Sequence, residues 1–112
     1  MAGTRDDAQL MIELAKWGAM IGVGPASRKI FADDFDPEAA SALDEEVQTL
    51  LLFNETIGTL VKNDLFDRAL VYDWLYVKGV WERVGPAAKR AREELGVSAM
   101  YENFEALAEG QG

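Results

Sequence analysis

The sequence predicts an all-α fold: a single-domain bundle of five to six helices around a long central helix at about residues 37–62. Three observations carry this. Apolar residues recur at spacings of three and four along nearly all of the 112 residues, and no stretch alternates strictly for more than a few positions. Gly, Pro, Asn and Asp fall where one such run gives way to the next. Hydrophobic residues make up 49% of the chain, too many for a disordered class, and a domain of this length buries roughly two-thirds of its unfolded surface.

Residues 1–112 read as one helical domain, with 1–5 and 109–112 expected to fray. The first helix is expected over residues 6–20, capped by Thr4 or Asp6. Leu10, Met11, Leu14, Trp17, Gly18 and Ile21 share one of its faces. Gly22, Val23, Gly24 and Pro25 then break the pattern, and Pro25 opens a short helix to residue 32, anchored by Ile30 and Phe31. Asp36, Pro37 and Glu38 read as the cap and first turn of the central helix. Ala40, Leu43, Val47, Leu50, Leu51, Ile57 and Val61 form its apolar arc, Phe53 and Leu60 widen the arc, and Leu52 points away. Asn63 and Asp64 tolerate the left-handed backbone of an exit.

Asp67 caps the next helix. Leu70, Trp74, Val77, Trp81 and Val84 follow at spacings of 4, 3, 4 and 3, a narrow seam of the coiled-coil kind. Val71, Tyr72, Leu75 and Tyr76 lie off that seam, so its first half is buried more widely or the helix breaks near Gly79. Gly85–Pro86 is expected to end or kink the helix, which resumes to Leu95 and stops at Gly96. Ser98 is expected to cap a last helix with Met100, Tyr101, Phe104, Leu107 and Ala108 on one face.

The chain has no His and no Cys. That excludes disulfides, thiolate nucleophiles, His bases, Ser-His triads, the usual zinc sites and the Glu-x-x-His di-iron centre of helical bundles. No phosphate-cradling Gly loop is present, since Gly22–Pro25 lacks a preceding strand and a correctly spaced Lys. No catalytic residues, metal or cofactor are therefore expected. The longest uncharged stretch, Trp17 to Ser27, has 11 residues and is too short to span a bilayer. With no signal-peptide pattern, the expected location is the cytoplasm.

The net charge of −9 is unevenly spread. Residues 33–55 carry eight acids and no base, residues 78–92 five bases and one acid, and residues 93–112 five acids and no base. The basic stretch is too small a footprint for nucleic acid against that background. It reads as one face of a helix laid beside the acidic segments.

Asp34, Asp36, Glu38 and Glu45 match part of a calcium-loop spacing, but Ala39 stands at the turn glycine and Pro37 opens a helix instead. Asn54 lies within the apolar arc, as a hydrogen-bonded core amide or a polar group lining a small pocket. Glu55, at the arc's edge, wants a cation, and Lys89, Arg90 and Arg92 are on offer. A structural polar site of Asn54, Glu55, Arg90 and Arg92 is thus expected. Trp74 and Trp81, with Tyr72 and Tyr76, read as core aromatics or as a self-association face.

The run from Leu52 to Tyr72, with its Phe53-Asn54-Glu55-Thr56-Ile57 segment, turn and Leu70-Val71-Tyr72 helix, is one half of a pattern. Trp81-Glu82, Pro86, Arg90, Arg92, Tyr101, Phe104 and Leu107 complete it. Over residues 36–108 the chain resembles an all-helical bacterial and phage family known only as a domain of unknown function. The resemblance implies a small helical fold and no established activity. Some members resemble membrane-tethered proteins, but their N-terminal span is missing here.

The function expected on these grounds is non-enzymatic: a helical protein-interaction or oligomerisation module, a homo-oligomer or accessory subunit that engages neither nucleic acid nor membrane. Two alternatives stand beside it. One is an acidic regulator that occupies a basic partner surface; the other is a small-molecule binder with a pocket near Asn54 and Glu55.

Overall fold

The computed structural model describes residues 3–112; Met1 and Ala2, part of the end expected to fray, lie outside the described residues. Those residues form six helices and no strand: α1 (Arg5–Ile21), α2 (Val23–Ile30), α3 (Glu45–Lys62), α4 (Arg68–Trp74), α5 (Val77–Leu95) and α6 (Glu102–Glu109). The fold is all-α.

Helix α1 starts on a capping box. The Thr4 hydroxyl accepts from the Asp7 amide at 3.1 Å, and the Asp7 carboxylate accepts from the Thr4 amide at 2.9 Å. Its other oxygen accepts from the amide of Asp67 at 3.0 Å, tying α1 to the start of α4. The bonds from the Thr4 amide and hydroxyl hold the Asp7 pKa below its ordinary value; desolvation opposes them, and the Asp67 amide adds a lesser lowering. Because the folded-state pKa is depressed, this contribution is present above the ordinary carboxylate pKa and lost as pH falls through the lowered one. Protection of the Asp67 amide from hydrogen exchange, taken relative to its intrinsic rate, should therefore fall in acid, and Asp7→Asn should remove that pH dependence.

One residue, Gly22 at φ 87°, both ends α1 and opens α2, so the expected break is a single left-handed residue. Only Leu14 and Gly18 of α1 are buried, so this helix lies on the outside of the bundle.

The central helix does not begin at 37. Residues 31–44 form turns, and α3 starts at Glu45. Asp36 does open a turn, accepting from the Glu38 amide at 3.0 Å. That turn stops because Ser41 and Asp44 draw the backbone elsewhere: Ser41 Oγ accepts from the Leu43 amide and Asp44 from the Ser41 amide. Leu43, expected on the buried arc, is consequently 82% exposed. The α3 that remains is still central. Val47, Leu50, Leu51, Phe53, Ile57 and Val61 are buried, and it packs against α2, α5 and α6. Asn63 and Asp64 make its exit, Asp64 at φ 58°.

The Trp74–Trp81 seam is not one helix. Asp67 caps α4 as expected, accepting from the Leu70 amide at 3.0 Å, but α4 ends at Trp74 with Leu75 extended. The break falls earlier than Gly79 because the far end of the chain satisfies it. The Gln111 side chain accepts from the Lys78 amide at 2.8 Å and donates to the Leu75 carbonyl at 2.9 Å. One amide thus serves an orphan donor of α5 and an acceptor at the end of α4. The C-terminus is accordingly docked at Gln111 where fraying was expected. Pro86 does not end α5, which runs through it to a left-handed Gly96 and, at 19 residues, is one longer than α3. The carbonyl that Pro86 deprives of its helical donor is that of Glu82, an exposed residue.

Candidate functional site

Asn54 is a core amide. It is 3% exposed and donates to the Leu50 carbonyl one turn back at 2.9 Å. Glu55 meets none of the cations expected for it. Its carboxylate crosses to α6, accepting from the Phe104 amide at 2.8 Å through Oε1 and from the Asn103 side chain at 2.9 Å through Oε2. It does the work assigned to Ser98, which is exposed in the preceding turn. Residue 101, at the cap position of α6, is a Tyr at φ 60° with no capping side chain. A carboxylate from another helix therefore satisfies the orphan amide and suits the positive end of the α6 dipole. Glu55→Ala should cost about 2 kcal/mol in urea denaturation, and Glu55→Gln, which keeps one acceptor, should cost less.

The reason Glu55 reaches lies one turn on. A Cβ built on Gly58 would stand 2.5 Å from the Asn103 carbonyl oxygen and 3.1 Å from the Phe104 amide nitrogen. Backbone meets backbone where α3 and α6 cross.

The arginines of α5 hold loops. Arg83, not singled out from the sequence, donates to the carbonyls of Ile30, Ala32 and Phe35 and lies 5.2 Å over the Phe35 ring. Arg90 donates to the carbonyls of Pro37 and Ala40 and sits 3.5 Å from Glu38. Arg92 donates to the Met100 carbonyl at 2.6 Å and pairs with Glu105 at 2.8 Å. Glu55 and Arg92 thus grip the start of α6 from two helices, while Arg90 serves a different loop. The expected four-residue polar site is not one constellation.

The aromatic seam is divided between two neighbours. Trp74 stands edge-on to Phe53 at 6.1 Å, and Trp81 stands edge-on to Phe104 at 4.8 Å. The Tyr72 hydroxyl donates to the Leu107 carbonyl at 2.7 Å, and Tyr76 is exposed. Trp74, Trp81 and Tyr72 are packed within the chain.

The surface that remains was not legible from the sequence. The 39–43 loop, the C-terminal half of α5 and the turn before α6 enclose an open groove of about 410 Å³. Buried Ala40 and Ala87, with half-buried Ala91, Met100 and Tyr101, line it. Leu43, 82% exposed, and Leu95, 65% exposed, stand at its edges. A groove of similar size beside α1, floored by Phe53 and Trp74, has only small residues such as Ala15 and Ala19 on its α1 side. Neither Asn54 nor Glu55 lines either groove.

Among the described residues, no cluster of three or more acidic side chains is placed to hold a metal ion, and no helix is long and apolar enough to cross a membrane. Comparison with known families adds one match: the model for a domain of unknown function, DUF4760, fits residues 1–111. The chain belongs to the DUF4760 family. The match extends beyond the 36–108 segment that carried the resemblance in the sequence. No curated protein and no solved structure matches the chain. In this DUF4760 chain, the Glu55 of the Phe53–Ile57 segment is the group that holds α6, and Trp81 covers the Phe104 of the same helix.

Proposed function

We propose that this DUF4760 protein is a non-enzymatic interaction module of the cytoplasm that holds another polypeptide in the groove between Leu43 and Leu95. The observation that supports this reading is the pairing of two well-exposed leucines with a lining of alanines, Met100 and Tyr101. Scattered exposed leucines are ordinary, but leucines at the edge of an apolar depression resemble the anchors of an interface. A chain without cysteine is compatible with that placement.

Photo-crosslinking in cells tests the reading. A photoreactive residue at position 43 or 95 should yield adducts with a polypeptide, and one at exposed Ala8 on α1 should not. Absence of adducts at both groove positions, with the protein folded and abundant, would refute it.

A further inference from the structure

The groove lies where the two base-free acidic segments of the chain meet. Its walls come from residues 39–48 of the first, 94–101 of the second, and Ala87, Arg90 and Ala91 of the basic stretch between them. Asp44 and Glu45 follow Leu43 directly, and Glu93 and Glu94 precede Leu95. All four are exposed and none is in an ion pair among the described residues, and Glu94 is the one of them that lines the groove. The one base lining the groove, Arg90, is occupied by two loop carbonyls and Glu38. The groove therefore offers an apolar lining with one unpaired carboxylate, Glu94, on its wall and a second, Asp44, next to Leu43 at its edge.

Resting on the interaction reading above, we infer that the occupant is a basic amphipathic segment of a partner protein. Its apolar side chains would pack between Leu43 and Leu95, and its lysines or arginines would face Glu94 on the wall and Asp44 at the edge. Such a segment has the chemistry of the helix-in-groove mode, with charge complementarity adding selectivity and encounter rate. A second copy of this chain is disfavoured at the same place. Pairing two groove faces would set Glu94 and Asp44 of each copy near their counterparts in chains that each carry −9.

Fluorescence anisotropy with a labelled Leu/Lys amphipathic helical peptide tests this on the intact protein. The Leu/Lys peptide should bind, and a Leu/Glu peptide of the same pattern should not. A shuffled Leu/Lys peptide without an apolar face should bind about tenfold more weakly. Leu43→Ser with Leu95→Ser should also weaken binding about tenfold, with circular dichroism unchanged because both side chains are exposed. Raising salt from about 50 to about 500 mM should weaken it by a similar factor.

Equal binding of the shuffled peptide would reduce the effect to general attraction by a polyanion and overturn the proposal. Equal binding of the Leu/Glu peptide would overturn it too. So would light scattering that shows a dimer made monomeric by the leucine substitutions, since the occupant would then be a second copy. Crosslinks at position 43 without peptide binding leave the interaction reading standing and sink the basic partner.

Discussion

Replacing Trp81 with alanine should lower stability by about 3–5 kcal/mol and leave the state of association unchanged. The indole is held on three sides within one chain. Phe104 meets it edge-on at 4.8 Å, the Arg92 guanidinium lies 5.8 Å from its ring, and a Cβ on Gly85 would stand 2.8 Å from it. Removing it exposes Phe104, which is fully buried, and leaves a cavity beside the Arg92 guanidinium. Urea denaturation measures the loss, and light scattering on the same samples measures association. A variant with wild-type stability but altered association would return Trp81 to the interface reading.

Gly58→Val should cost about 3 kcal/mol, at the upper end of what overpacking usually costs. The obstructing atoms are the Asn103 carbonyl at 2.5 Å and 2.7 Å, so backbone has to move. Gly58→Ala should also destabilise, although alanine normally gains up to about 1 kcal/mol over glycine inside a helix. Gly24→Ala in α2 is the control, because its Cβ would meet nothing nearer than the Arg28 guanidinium at 3.8 Å, and it should be neutral or stabilising. The Gly58 and Glu55 substitutions act on the same crossing and should not add when combined.

The features legible in the sequence were those decided by neighbours in the chain. Thr4, Asp67 and Gly96 stand at helix ends as their chemistry requires, and the buried face of α3 follows its spacing. What escaped was decided across the fold. The break after Trp74 is satisfied by Gln111, 36 residues from Leu75, and no local pattern announces it. The charge of Glu55 is visible in the sequence and points to a cation, whereas the orphan amide of Phe104 that it meets leaves no mark there. The late start of α3 was the readable miss. Ser41 and Asp44 compete for backbone groups just ahead of Glu45, although Asp36–Pro37 is by local chemistry the stronger start signal. That one shift moved Leu43 from the buried arc to the surface and concealed the groove.

Amide chemical-shift mapping during titration with the Leu/Lys peptide tests the central claim most directly. The largest shifts should fall on the 39–43 loop, on α5 from Ala87 to Leu95 and on Met100 and Tyr101, with Trp74 and Trp81 unmoved. Shifts centred on Trp74, Trp81 and Tyr76, or spread evenly over the acidic surface, would contradict it.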